Sequence, residues 1–228
     1  SAVNYRQDAT PQLTSVSPDM GTSAGGTLIT IQGTGFSGAQ AETHVFVDET
    51  ECTVTSTSTT QIQCITGPAP PVDVRKSSLE SKLYVRFDSK GFADNNGQSF
   101  LYVDKWSESS TWGGIVPPRE GDSVSIPPGL TVLLDISPPK LGTIIIEGAL
   151  IFQDTDLALH VNNIVVRKGR LQVGTPEKPI QSKIKIVLYG TKTDPALPHV
   201  GNKVIAINEG FLDLHGKPRD HTWRSEER

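Results

Sequence analysis

Glycine recurs at nearly equal intervals through the second half of the 228-residue chain. The spacings are 19, 21, 21 and 20 residues between Gly129, Gly148, Gly169, Gly190 and Gly210. Most of these glycines follow a short aliphatic segment and precede two alternating aliphatic residues, as in residues 164–166 before Gly169 and Leu171 and Val173 after it. A unit of about 20 residues cannot bury its own apolar side, but stacked units can. The repeat therefore predicts a short β-solenoid whose rungs each consist of a strand, a glycine bend and a second strand.

We expect one rung for each of the five glycines, with residues 184–187 before Gly190 as a less regular copy. A leucine-rich repeat fits worse, because its Leu-x-x-Leu-x-Leu-x-x-Asn spacing is absent from these residues. The remaining alternative is a second β-sandwich whose hairpins are evenly spaced.

The first half has a different pattern, typical of an immunoglobulin-like β-sandwich. Turn-forming residues separate short apolar or alternating segments roughly every ten residues, which is the spacing of such sandwiches. The predicted strands include residues 28–32, 45–47, 83–87 and 99–103. The whole chain is therefore predicted to be all-β, with an Ig-like β-sandwich at residues 10–103 and the β-solenoid at residues 104–228.

The two cysteines, Cys52 and Cys64, lie on either side of a predicted turn. A hairpin that folds at Ser58 pairs Val54 with Ile62. The same register pairs the two cysteines and places both sulfurs on one face of the sheet. This geometry permits a disulfide, which would indicate an oxidising compartment. The alternative is two buried, reduced thiols in an intracellular protein.

The opening of the first half, residues 18–36, resembles the start of an IPT/TIG domain, an Ig-like fold, and residues 60–64 also match its pattern. We expect Gly33 and Gly35 to turn the chain with positive φ, and Phe36 to close the end of the core. IPT/TIG domains occur in plexin-like receptors, in transcription factors and in polysaccharide-processing enzymes, so the resemblance does not fix the function.

The second half is similar to a G8 domain over roughly residues 105–225. The similarity rests on residues 112–114, 117–118, 121–129 and 132–135, followed by the repeated glycines. An IPT/TIG domain directly before a G8 domain resembles the fibrocystin family, whereas the hyaluronan-degrading G8 proteins are expected to lack IPT/TIG domains. The resemblance implies an IPT/TIG domain at residues 10–103 and a G8 domain at residues 104–228, truncated at its C-terminal end.

Asp122 and Asp135 are the candidate metal or glycan residues, because both lie beside strand ends in the first two rungs. Two carboxylates about 5–10 Å apart can serve glycoside hydrolysis or hold Ca²⁺. The alternative is that each carboxylate accepts hydrogen bonds from nearby N–H groups in its own turn. Asp154 and Asp156 are predicted to lie in a solvated turn.

Other signals for chemistry are weak. The five histidines have no zinc-site spacing. We predict no catalytic residue and no cofactor. Trp106 and Trp112 are predicted to pack at the junction of the two halves, with sugar-stacking platforms as the alternative.

The formal net charge of −4 argues against nucleic-acid binding, which usually requires a basic face. No apolar run approaches the ~18–20 residues that span a bilayer. Both ends look cut from a longer chain, so membrane attachment is expected only through a segment outside these residues.

The fibrocystin resemblance implies a non-catalytic scaffold or interaction segment of a large single-pass, receptor-like protein. The implied location is the extracellular side of the plasma membrane, at a ciliary or stereociliary surface or in a cell-surface coat. The implied partners are proteins or extracellular glycans. The alternative function is binding or hydrolysis of a hyaluronan-like polysaccharide, complete only with a downstream β-helix.

Overall fold

The computed structural model describes residues 10–70, 79–191 and 193–217, and β-strands dominate these ranges. The chain divides into two compact units, Ser1–Asp104 and Lys105–Arg228. Two short 3₁₀ turns, Gln40–Glu42 and Ser109–Trp112, are the helical elements of the described ranges. No helix in these ranges has the length and apolar character needed to cross a membrane. The all-β class predicted from the sequence is confirmed.

The strands of the first unit are β1 (Gln12–Ser17), β2 (Met20–Gly21), β3 (Leu28–Thr34), β4 (Thr43–Val47), β5 (Thr50–Thr57), β6 (Gln61–Thr66), β7 (Ser81–Phe87), β8 (Gly91–Phe92) and β9 (Ser99–Tyr102). They pair in the order β1-β3-β6-β5-β4-β7-β9-β2, and β8 pairs with β7. Every pair is antiparallel except β2 with β9.

Strict alternation of side chains builds the core of the first unit. In β4 and β7 every second residue is buried, because successive side chains of a strand point to opposite faces. Phe36 closes one end of this core, with its ring centroid 5.5 Å from that of Phe87. Gly35 has the expected positive φ of 74°. Gly33 does not have a positive φ; it lacks a side chain because a Cβ there would overlap the Phe36 ring and the Gln12 carbonyl.

The cysteine hairpin forms, but in a different register from the one that the sequence predicts. Cys64 lies opposite Val54, and Cys52 lies opposite Thr66. The register shifts between Val54 and Ser56, where β5 carries an irregularity of the β-bulge type. Cys52 and Cys64 nevertheless form the predicted disulfide, with their Cα atoms 5.5 Å apart.

The strands of the second half are β10 (Asp104–Lys105), β11 (Val124–Ile126), β12 (Thr131–Leu134), β13 (Leu141–Ile146), β14 (Ala149–Phe152), β15 (Leu157–Arg167), β16 (Arg170–Val173), β17 (Ile184–Leu188), β18 (Ile205–Asn208) and β19 (Phe211–Leu214). They form two sheets, ordered β10-β12-β14-β16-β19 and β11-β13-β15-β17, with β18 also pairing with β15. The pairs from β11 to β19 are parallel. Each of the first three repeats adds one strand to each sheet, and Ile144 of one repeat lies beside Val124 and Ile164 of its neighbours.

Close approach between bends explains three of the five repeated glycines. A Cβ on Gly148 would lie 2.2 Å from the Leu130 carbonyl oxygen, and one on Gly169 would lie 2.5 Å from that of Ile146. A Cβ on Gly210 would lie 2.8 Å from the Gly169 carbonyl oxygen. Each of these bends therefore sits directly on the bend of the preceding rung, where no other residue fits.

The prediction of five rungs is wrong, because the last two copies share one level. β17 pairs with the first part of β15, from Leu157 to Val161, and β18 pairs with its last part, from Ile164 to Arg167. The 11-residue β15 is long enough to hold both short strands end to end. The described residues thus form four rungs, and Gly190, with a φ of 142°, lies in an insertion within the fourth.

Candidate functional site

Both candidate carboxylates of the first rung accept hydrogen bonds from other parts of the chain. Asp122 precedes β11, and its Oδ2 accepts a hydrogen bond from the Arg119 N–H at 2.7 Å. Asp135 follows β12, and its carboxylate accepts hydrogen bonds from the Ser107 N–H at 3.0 Å and from the Ser107 hydroxyl at 2.6 Å. The Asp122 contact lies within its own turn, as the alternative interpretation expects, whereas Ser107 is 28 residues from Asp135 in the sequence.

No metal centre is evident in the part of the chain that the structure describes, since no three or more His, Cys, Asp or Glu side chains gather closely enough to hold an ion. A metal or glycan role for Asp122 and Asp135 remains a prediction. Trp106, one of the two candidate tryptophans, is fully buried in the core of the second unit, so it offers no ring face to a sugar.

Asp154 and Asp156 make hydrogen bonds to a distant loop, which the predicted solvated turn did not include. Asp154 accepts hydrogen bonds from the backbone N–H groups of Gln181 at 3.0 Å and Ser182 at 2.9 Å. Asp156 accepts one from the Lys183 N–H at 2.8 Å. These two carboxylates of the third rung therefore anchor the loop that leads into the fourth. The hydrogen bonds from Ser182, and then from Gln181, lower the pKa of Asp154.

The hydrogen bonds that Asp154 accepts from Gln181 and Ser182, which we call the Asp154 clamp, predict a pH-dependent contribution to the free energy of unfolding. A lowered pKa means that the stabilisation is present above the unfolded-state pKa of Asp, about 3.9, and is lost as the pH falls through the lower folded value. We expect Asp154→Ala to destabilise the second unit by about 1 kcal/mol or less at pH 7, because the carboxylate is exposed to water. The difference from the unsubstituted chain should shrink below about pH 4.

Urea unfolding of both proteins at pH 7, 5 and 3 measures this difference. Thr155→Ala, at an exposed position in the same loop, is the matched control and should change little at any pH. A difference for Asp154→Ala that is constant across the three pH values would contradict the clamp.

The fourth rung exposes an apolar surface that earlier rungs bury. Its inward positions are 37%, 47%, 37% and 58% exposed at Ile205, Ile207, Leu212 and Leu214 respectively. The residues that pair with them in the third rung are at most 8% exposed; they are Ile164, Val166, Leu171 and Val173. We call these four exposed residues the rung-4 face. Among the described residues of the stacked core, this face exposes aliphatic side chains that another layer could cover.

An ion pair holds the fourth rung in place beside this face. The buried Arg170 donates from Nη1 to Asp213 Oδ2 at 2.7 Å, and its guanidinium carbon lies 4.8 Å from the centroid of the Phe211 ring. The contact combines a charge-assisted hydrogen bond with a cation–π interaction, and it joins the third rung to the fourth. These contacts therefore hold the fourth rung, and with it the rung-4 face, against the third rung.

Comparison with known proteins adds the relationships of this chain. Residues 11–102 match the IPT/TIG domain, and residues 111–225 match the G8 domain. Human fibrocystin-L is 41% identical over 221 residues, which is 96% of this chain and 5% of that protein. Mouse fibrocystin is 30% identical over 176 residues, which is 75% of this chain and 4% of that protein.

Among solved structures, the extracellular region of plexin A4 aligns with 42% of this chain and 10% of its own, at 22% identity and a TM-score of 0.35. That similarity is too low to support an argument. The matches of the two domains and of the relatives agree with the resemblances read from the sequence. The chain belongs to the G8 domain family and is an IPT/TIG–G8 segment related to the fibrocystins.

Proposed function

We propose that the chain is a non-catalytic interaction segment of a large single-pass, receptor-like protein, on the extracellular side of the plasma membrane. The rung-4 face carries this proposal, because a contiguous exposed aliphatic surface is one on which another protein layer can pack. The Cys52–Cys64 disulfide supports an oxidising, extracellular setting. Similarity to the fibrocystins supports a receptor-like parent protein at a ciliary, stereociliary or coated cell surface.

The first test asks whether the rung-4 face makes contacts. We expect the purified chain to self-associate weakly at high concentration, because its apolar side chains are open to water. The double substitution Ile207→Lys and Leu214→Lys should abolish this association and change the free energy of unfolding by about 1 kcal/mol or less, since both side chains are largely exposed. Sedimentation equilibrium measures the association, and urea unfolding measures the stability.

The matched control is Val166→Lys, at the fully buried position that pairs with Ile207. It should unfold the second unit, because an unpaired charge would be placed in the core. A strictly monomeric chain that is indistinguishable from the double variant at all concentrations would remove the support that this face gives to the proposal.

The second candidate function is binding or hydrolysis of a hyaluronan-like polysaccharide. This function would require a downstream β-helix. We propose that residues 1–228 alone do not hydrolyse hyaluronan. Size analysis of hyaluronan after incubation with the chain distinguishes the two functions, because shortened chains would establish an enzyme.

A further inference from the structure

An exposed aromatic surface lies on the outer face of the first unit. Phe46 of β4 lies opposite Tyr84 of β7, and Phe92 of β8 lies opposite Arg86 of β7. Tyr84 is 38% exposed and Phe92 is 62% exposed, although both are large rings within a sheet. The residues before and after Tyr84, Leu83 and Val85, are buried in the core. The aromatic residues are therefore not part of the packing that stabilises this unit.

Two adjoining hollows share these rings. One has a volume of ≈ 720 Å³ and is lined by Tyr84 and Phe92 together with Lys82, Asn95 and Gln98 among others. The other has a volume of ≈ 440 Å³ and is also lined by Tyr84 and Phe92. Because the same two rings border both hollows, the surface is an elongated trough that crosses the ring pair. An elongated trough suits a linear ligand better than a compact one.

One wall of the trough is fixed by its own hydrogen bonds. Asn96 donates from Nδ2 to the Leu13 carbonyl at 2.8 Å, and its N–H donates to Asp94 at 3.0 Å. Asn95 accepts from the Gly97 N–H at 3.1 Å. The loop next to Phe92 is therefore held in one conformation. A preformed site loses less conformational freedom when it binds a ligand.

The charges around the trough are of both signs. Glu80, Asp94 and Lys82 line the first hollow, and Asp48 and Arg86 line the second, so carboxylates exceed cations by one. Neither a polyanion nor a polycation is favoured by such a surface. Carboxylate, amide and guanidinium groups offer both acceptors and donors, which match the hydroxyl groups of a sugar. Exposed rings offer apolar faces, which match the C–H face of a pyranose.

We propose that this trough binds a neutral, linear oligosaccharide, with sugar rings stacked on Tyr84 and Phe92. The inference rests on the extracellular role proposed above, where such glycans occur. Its residues belong to the first unit, whereas the rung-4 face belongs to the second, so the two proposals can fail separately.

The test is an NMR titration of the whole chain with chitohexaose, a neutral hexamer of N-acetylglucosamine. We expect saturable shifts at Tyr84, Phe92 and Asn95. Phe92→Ala should weaken binding at least tenfold, and Phe92→Leu should do the same, because leucine keeps the apolar character but has no ring face. Phe92→Trp should retain binding. Leu28→Ala, at another exposed apolar position of the same unit, is the matched control and should bind like the unsubstituted chain.

Four results would overturn the proposal. Two are the absence of saturable shifts when the folded chain is titrated with chitohexaose, and binding by the Phe92→Leu protein that equals that of the unsubstituted one. Stronger binding of a heparin hexasaccharide would indicate a polyanion site, and shifts caused by a ten-residue polyproline peptide alone would indicate a peptide groove. None of these results affects the sedimentation experiment on the rung-4 face, which tests the proposed interaction role separately.

Discussion

Replacement of Trp106 by alanine is expected to lower the free energy of unfolding of the second unit by about 3–5 kcal/mol. Trp106 is fully buried in the core of that unit, and its ring packs edge-on against Trp112 with centroids 4.8 Å apart. Its carbonyl oxygen also accepts a hydrogen bond from Trp112 Nε1 at 2.8 Å. Loss of the ring leaves a cavity beside the first rung and removes the partner of the second tryptophan.

A phenylalanine substitution separates the packing of Trp106 from its polar atom. The buried Nε1–H of Trp106 has no hydrogen-bond partner in the described part of the chain. Trp106→Phe removes this unsatisfied donor while it keeps most of the ring, so it should cost less than Trp106→Ala. Urea unfolding followed by far-UV circular dichroism measures both. Equal destabilisation by Trp112→Ala and Trp106→Ala would contradict the expectation that the more deeply buried ring contributes more to the free energy of unfolding.

Three of the repeated glycines of the second unit have a common steric cause. Gly148, Gly169 and Gly210 each lie against the carbonyl oxygen of an earlier bend, so a side chain is excluded at each of these positions. Gly190 follows the same interval without that cause, since a Cβ there meets Asp194 and Lys203 at 3.3 Å or more. A regular spacing alone therefore does not distinguish a stacked bend from an inserted loop.

Long-range pairing explains what the sequence could not predict. The position of β17 depends on the length of β15, to which it pairs, and not on residues near Ile184. The hairpin register depends on an irregularity between Val54 and Ser56, which no residue type at these positions requires. The cysteines were paired correctly despite the wrong register, because a shift of two residues keeps both side chains on the same face.

The candidate sites were the least predictable part. Asp154 has partners 27 and 28 residues away, at Gln181 and Ser182, and no short motif marks such a contact. The aromatic trough joins β4, β7 and β8 and the loop that follows them, so its residues are adjacent only after folding. Alternation within β7 does identify Tyr84 as outward-facing, and this was the one signal in the sequence that pointed to the trough.

Removal of the disulfide is expected to cost the first unit about 3 kcal/mol of its free energy of unfolding, the value for a loop of this length. The bond joins positions 12 residues apart, so in the unfolded chain it closes a short loop and restricts its conformations. Both sulfurs are buried: Cys52 pairs with Val45 of β4, and Cys64 pairs with Ile29 of β3. The double variant Cys52→Ala and Cys64→Ala should therefore unfold at a lower urea concentration.

Reduction of the unsubstituted chain provides the matched experiment. Dithiothreitol should destabilise the first unit of the unsubstituted chain and leave the double variant unchanged, because the variant has no bond to reduce. The unfolding of the second unit, which contains no cysteine, should not respond to either change. Equal stability of the reduced and oxidised chains would contradict a structural role for the bond. A response confined to the first unit would show that this segment depends on an oxidising compartment for its full stability, as expected of an extracellular protein.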